Sequence, residues 1–521
     1  MTSTSPVRVH PPSLVVDDPR RRRAILWAVG IALMAVVASV SGLNVAQPQL
    51  ASAFDASQGD VLWIINTYTL TLAALLLPLG AAGDRLGRRR VLLLGLALFG
   101  LANIAGALAP VLEAMLAARL LAGVGAAMIM PVTLAVITAT FPEGERSRAI
   151  GIWSAVAASG GLLGMYLSAL LVDLASWRWL FALPIALTIA ALLVAIRAVP
   201  DSREVASGRF DLVGAVTSVV AAVGFTFALH EAPTHGWTDP VVLIALAAAV
   251  LAAVAFAVWE LRADDPLLDL RFFRRRGLSS GSAILLVLFG VQGGVSLMLY
   301  PFLQVALGWS GLVATLGLMP LALMMMLASG LAPRFAARVG TRTAMVAGLG
   351  MSAAGLALMA GLVSADGGYL SVLPGLVVLG VGAGLAMTPS TEAITSSLPE
   401  ERQGVASAVN DLARELGAAL GIALLGGLLV AGYRDAISVR LDGVPAEWAG
   451  AASEGIATAA AIATEAGPHA AQILDAARVA FVVGWQQTMW AGAAVLGAVA
   501  IAILVRGPVS AVDRSPSAGA S

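Results

Sequence analysis

"GVGAAMIMPVTLAVITATFPE" (123–143) returns as "GVGAGLAMTPSTEAITSSLPE" (380–400) without a gap, at an offset of 257 residues and with nine identities. Two further pairs keep the same order. "GIWSAV" from Gly151 matches "GVASAV" from Gly404 at an offset of 253, and "GDRLGRRR" from Gly83 has a worn counterpart in "AARVGTRT" from Ala336 at the same offset. Stretches rich in Gly and Ala match singly by chance, but three matches in one order on corresponding apolar spans mark a duplicated unit. Around the repeat lie spans of about 20 apolar residues, the length that crosses about 30 Å of hydrocarbon. Fourteen can be read, at roughly 24–47, 61–82, 91–109, 113–136, 149–172, 178–198, 211–230, 240–261, 279–302, 310–332, 344–364, 371–395, 404–430 and 479–505. Spans 1–6 repeat as spans 9–14, and spans 7 and 8 are inserted between them.

The expected fold is therefore an all-α polytopic membrane protein. Residues 24–200 form one six-helix bundle, 201–278 the two inserted helices and their linker, and 279–505 the second bundle. Tails run over 1–23 and 506–521, and 431–478 is the longest connection, either a lid or a passive spacer. The first span exceeds the 7–15 apolar residues of a secretory signal and is expected to be retained as a helix. Parallel six-helix halves around a midplane site are the architecture of secondary transporters.

Charge supports this layout. All 31 basic residues are arginine. With both termini cytoplasmic, 25 of them fall on the inner side, four fall outside (Arg178, Arg434, Arg440, Arg478), and Arg119 and Arg414 lie within spans. That asymmetry is the positive-inside rule. The chain has 521 residues, 59% of them hydrophobic and 12% charged, with net charge +0 and no cysteine. Without lysine there is no Walker A loop or Schiff base, and without cysteine no thiol nucleophile or zinc thiolate. The four histidines form no HExxH pair. The reading is of a protein that is not an enzyme, with no cofactor, metal or nucleic-acid partner.

The loop after span 2 reads "GAAGDRLGRRR" from Gly80. Gly80 and Gly83 permit close helix approach, and Asp84 can face a helix N-terminus or an arginine across the half-interface. This stretch is close to a signature of the major facilitator superfamily. The chain resembles that superfamily, specifically its fourteen-helix drug:proton antiporter family, over its whole length. The resemblance makes Gly80, Gly83, Asp84, Arg85, Gly87 and Arg88 a conformational latch. In span 4, "RLLAGVGAA" from Arg119 resembles the family's buried-arginine motif, which implies a part in proton transfer. "WRWLF" at Trp177–Phe181 resembles the family's entry to span 6 and suits interfacial anchoring. In span 5, "GGLLGMYLS" from Gly160 keeps Gly160 and Gly164 for packing, but Met165 stands where the family's antiporter motif has proline. Many members carry an aspartate in span 1 where this chain has Ser39, and Asn66 stands where some carry another in span 2.

Spans 1–3 thus hold no mid-membrane acid, and titrating groups are expected in span 13. There "NDLARELGAALGIALLG" from Asn410 sets Asp411, Arg414 and Glu415 at i, i+3 and i+4 on one helix face, with Gly417 and Gly421 for close packing. Ionisable residues inside a membrane are functional candidates by default. Arg414 would hold one acid ionised while the other exchanges protons. Asp411, Glu415, Arg414 and Arg119 are the expected proton-coupling residues, and Glu392 is a weaker candidate near the inner end of span 12. By family geometry the cavity between halves would be lined by Asn44, Gln47, Trp63, Asn66, Tyr68, Met130, Trp153, Gln292, Tyr300, Gln304 and Met319.

The resulting expectation is a monomeric exporter in a bacterial inner membrane, exchanging protons for small amphipathic drugs or metabolites. The alternatives are a dedicated exporter of one endogenous metabolite or antibiotic, and a uniporter or importing symporter, which Met165 and Ser39 favour. A non-transporting sensor is set aside, because no stretch resembles an output domain.

Overall fold

The computed structural model describes residues 15–56, 58–174, 176–200, 210–364 and 367–506. Among them the first half contributes α1 (Pro19–Val45), α2 (Gln58–Leu86), α3 (Arg88–Ala107), α4 (Leu112–Thr140), α5 (Glu143–Leu174) and α6 (Ala182–Ala198). An inserted pair follows, α7 (Leu212–His235) and α8 (Pro240–Glu260). The second half contributes α9 (Arg276–Pro301), α10 (Met319–Val339), α11 (Thr341–Leu362), α12 (Leu373–Thr395), α13 (Gln403–Ser438) and α14 (Ala470–Arg506). Apolar spans of this length fold as helices because each backbone N–H and C=O must be satisfied within the segment. Local chemistry sets their starts. Asp18 accepts from the Arg20 N–H at α1, Asp211 from the Gly214 N–H at α7, and Asp239 from the Val241 N–H at α8. Thirteen helices among the described residues are long and apolar enough to cross a membrane. The stretch outside that set is α5, several of whose side chains between 158 and 174 lie outside the described residues.

The duplication is visible in the packing. The first glycine of the repeat, Gly123, presses on α2 at Thr71, and its equivalent Gly380 presses on α10 at Leu321. The next, Gly125, meets α3 at Phe99, and Gly382 meets α11 at Ser352. Gly87 and Gly340, matched in the worn repeat, both cap a following helix with positive φ, 101° and 87°, a region that favours glycine.

Two glycines of α5 differ. A Cβ on Gly164 would lie 2.6 Å from the Ala38 Cα of α1, whereas one on Gly160 would meet the Met34 Sδ at an ordinary 3.7 Å. Only Gly164 is required for close approach. Gly164→Ala is expected to cost about 1–3 kcal/mol through overpacking. Gly160→Ala should be neutral or stabilise by up to about 1 kcal/mol, the gain in helix propensity. Thermal midpoints of the two purified variants test this, and equal midpoints would contradict the packing. In the second half, a Cβ on Gly417 would collide with Leu286 O and one on Gly421 with Gly290 O, so α9 and α13 touch backbone to backbone.

The apolar core is shared unequally. On the side where the chain begins, hereafter the terminal side, one cluster joins the halves, with Ile25, Leu92 and Ile150 packed together with Leu278, Met387 and Val405. On the far side the halves keep separate clusters, one around Leu43, Ile64 and Trp177 and another including Phe302 and Trp485. The inserted α7 lies against α2 and α13, with Trp63 stacking on Phe227 at 5.8 Å and Leu229 packing on Ala419 and Ala423. Its partner α8 has mean hydropathy 3.0 and is mostly exposed, as a lipid-facing helix should be.

The long connection is shorter than 431–478. Helix α13 continues to Ser438 and α14 begins at Ala470, with helical turns at Ala446–Ala452 and Ile456–Ala463 between them. The Tyr433 hydroxyl donates to Ala452 O at 2.8 Å, and Ile456 and Ala459 are buried, so this segment is packed onto the helix ends.

Candidate functional site

Two polar regions link or line the halves. The first is on the terminal side. Asp84, in the last turn of α2, is buried and reaches across to the N-terminus of α13. Its carboxylate accepts from the Gly404 N–H at 2.8 and 2.9 Å and from the Val405 N–H at 3.2 Å. These are N–H groups of the first helical turn, which lack an intrahelical partner and favour an anion. Arg88 completes the arrangement, donating to Asp84 Oδ1 at 3.1 and 3.2 Å and to Glu400 O at 2.8 Å. Gly80 makes the approach possible, since a Cβ there would lie 2.6 Å from Gly404 O. Gly83 is tight against Val132, where a Cβ would stand 2.9 Å from Cγ2. Arg85 instead lies over the Phe210 ring at 5.7 Å. Two more contacts cross the halves here, Ser147 with Glu392 and Arg146 with Glu400 at 3.8 Å. Glu392, a weaker candidate for proton coupling, thus makes an inter-half contact on the terminal side.

The second region lies within the spans. Arg119 is 1% exposed. Its Nη1 donates to Ser39 Oγ at 3.1 Å and its Nε to Ile64 O at 3.3 Å, while its guanidinium lies 4.3 Å from the Tyr68 ring centroid. Ser39 donates onward to Asn103 Oδ1 at 3.2 Å. No carboxylate among the described residues pairs with Arg119, and its Nη2 has no hydrogen-bond partner. Ser39 supplies a dipole at this place but no charge.

On α13, Asp411 is fully buried and lies 3.6 Å from Arg414 Nη1, an ion pair without a hydrogen bond. Asn410 donates to Asp411 Oδ1 at 3.1 Å and accepts from Thr391 at 2.9 Å. The Arg414 guanidinium is sandwiched between aromatic faces, 4.5 Å from Phe289 of α9 and 5.5 Å from Trp153 of α5, so it touches both halves. Such contacts hold a desolvated cation in place. Asp411 Oδ2 and the Arg414 Nε have no hydrogen-bond partner. Glu415 is half-buried and makes no ion pair or hydrogen bond among the described residues, although it lies within electrostatic reach of Arg414, Asp411 and Tyr68.

The expected cavity residues divide. Tyr68, Met130 and Trp153 are buried in the shared core in this conformation. Trp63 faces the inserted α7, and Asn66 is half-buried. Gln292 points its amide at Met325 Sδ at 4.0 Å, and the Tyr300 hydroxyl is 3.1 Å from Thr315 Oγ1. Gln304 is exposed, in a π-helical turn over Phe302–Ala306, and Met319 is half-buried at the start of α10. The side chains of Asn44, Gln47 and Met165 lie outside the described residues. Asn103 had a legible signal, an amide in the apolar stretch "ALFGLANIAGA" that must find a partner.

The family model described as Major Facilitator Superfamily matches residues 29–422. The chain belongs to the Major Facilitator Superfamily. Among the superfamily's curated proteins it is 34% identical over 466 residues to the multidrug efflux pump LfrA of Mycolicibacterium smegmatis, covering 89% of this chain and 92% of that protein. It is 32% identical over 498 residues to the tetracenomycin C resistance and export protein of Streptomyces glaucescens, covering 92% and 91%. A solved superfamily structure, the proton:xylose symporter XylE bound to 6-bromo-6-deoxy-D-glucose, aligns over 94% of this chain and 96% of that chain with TM-score 0.60 and 14% identity. That last likeness concerns the fold. The superfamily assignment makes this chain a multi-pass membrane transporter.

Proposed function

We propose that the protein is a fourteen-helix exporter of the drug:proton antiporter type, with α5 as the remaining crossing helix and the terminal side in the cytoplasm. It acts as a monomer in a bacterial inner membrane. Protons entering from outside exchange at the α13 carboxylates for small amphipathic molecules leaving the cell. The observation that carries this reading is Glu415, a half-buried carboxylate with no ion pair or hydrogen bond among the described residues, beside the Asp411–Arg414 pair. A lone carboxyl inside a membrane protein is costly as an anion unless it can take up a proton. Efflux is favoured by LfrA, which is named a multidrug efflux pump. Arg119 and Arg414 balance the two acids, so protonation changes the charge at the centre and with it the preference for one arrangement of the halves.

In everted vesicles, an added amphipathic cation such as ethidium should dissipate a preformed pH gradient only when the protein is present. Efflux continuing unchanged after the gradient is collapsed would remove proton coupling. A second reading is a dedicated exporter of one endogenous compound. It is favoured by relatives named for single antibiotics, those for tetracenomycin C and puromycin. Growth inhibition by a panel of chemically diverse compounds separates the readings. Protection against many supports multidrug export, and protection against one supports the dedicated exporter.

A further inference from the structure

On the outer surface of the first half, the starts of α1 and α5 frame a groove of about 670 Å³. Its floor is apolar, with Leu26 and Met34 from α1 and Ile152 and Val156 from α5. Its mouth, at the terminal side, carries Arg22, Arg23, Glu145 and Arg148, three cations against one anion. Arg22 is committed to Glu145 at 2.8 Å and to the carbonyls of Val16 and Asp17. That ion pair leaves Arg23 and Arg148 to set the charge of the mouth. Both are exposed, and neither has an ion-pair or hydrogen-bond partner among the described residues. Trp27, 68% exposed, stands at the same level, where an indole suits the membrane–water boundary.

Two free guanidinium groups above an apolar trough of this depth match an anionic headgroup attached to an acyl chain. A soluble anion would satisfy the mouth and leave the floor uncovered, and a neutral lipid would cover the floor and leave the arginines unneutralised. We propose that this groove is a binding site for one anionic phospholipid. Its headgroup lies between Arg23 and Arg148 and an acyl chain lies along Leu26, Met34, Ile152 and Val156. The site requires only that the chain spans a membrane and is independent of what it transports.

The test uses the full-length protein purified in detergent and supplied with phosphatidylglycerol or phosphatidylcholine, with retained lipid counted by native mass spectrometry. Each cation near an anionic headgroup strengthens binding about fivefold, so two give a preference for phosphatidylglycerol of about 30-fold. Wild type should retain one phosphatidylglycerol at this preference, and the double variant R23Q/R148Q should retain both lipids equally. Ile152→Trp, which fills the floor and leaves the charges, should lose the bound phosphatidylglycerol. It keeps the proposal testable if the double variant does not fold. Equal retention of the two lipids by wild type, or an undiminished preference in R23Q/R148Q, overturns the site. Glycerol phosphate competing as strongly as phosphatidylglycerol also overturns it, since the acyl chain would then contribute nothing.

Discussion

Glu415→Gln is expected to bring proton-coupled efflux down to the level of vesicles lacking the protein, with substrate binding and thermal stability retained. The two acids of α13 sit in different surroundings, and this difference gives the prediction its force. Glu415 makes no ion pair or hydrogen bond among the described residues, so an amide of the same shape removes a protonation site and little else. Asp411 is fully buried against Arg414, and Asp411→Asn would leave that guanidinium without its ion-pair partner, held by aromatic faces and by Glu415 at longer range. Breaking a buried pair from one side costs about 3–5 kcal/mol. Asp411→Asn should therefore lose coupling and stability together, while Glu415→Gln loses coupling alone. Substrate-induced collapse of a pH gradient reports the first property and the thermal midpoint the second. Wild-type gradient dependence in both variants would remove α13 from the mechanism. An unstable Glu415→Gln would make that carboxylate a structural group.

What could be read in the chain before its structure follows the physics of each signal. The gapless repeat specifies partners, because a glycine within a span marks where a neighbouring backbone comes close. Gly123 and Gly380, and Gly125 and Gly382, meet equivalent neighbours in the two halves. Asp84 was legible for a related reason, since a carboxylate in a loop that topology alone does not require points to a donor elsewhere. The facing of the remaining side chains was not legible. Helices α4, α5 and α12 set no apolar stripe opposite a polar one, so their sequences do not tell core from cavity or lipid. That is why Met130 of α4 and Trp153 of α5 read equally well as cavity residues, although both are buried in the core. The aromatic sandwich around Arg414 was hidden too, because Phe289 and Trp153 come from helices far apart in the sequence. The contact between Glu392 and Ser147 also depends on how the halves meet, which no single span encodes.

Asp84→Asn is expected to loosen closure of the terminal side and slow turnover about tenfold, with substrate binding near normal. Asp84 contributes a charge to the first turn of α13, three contacts with N–H groups and a buried pairing with Arg88. Asparagine keeps one carbonyl acceptor and loses the charge. An anion at a helix N-terminus in a partly buried setting is worth up to about 2 kcal/mol, and hydrogen bonds to an ionised group are about twice as strong as neutral ones. A loss of about 2–3 kcal/mol from the closed arrangement shifts its population against the alternative by about 30- to 150-fold. The native chain has no cysteine. A pair introduced at Leu86 and Glu401, exposed positions on opposite halves, therefore reports the separation cleanly through spin labels. Asp84→Asn should broaden and lengthen that distance distribution. Arg88→Gln, which spares the contacts with Gly404, should do so less. If Asp84→Asn abolishes binding while the distances stay as in the wild type, Asp84 belongs to the substrate path. Closure between the halves would then rest on the contacts of Ser147 with Glu392 and Arg146 with Glu400.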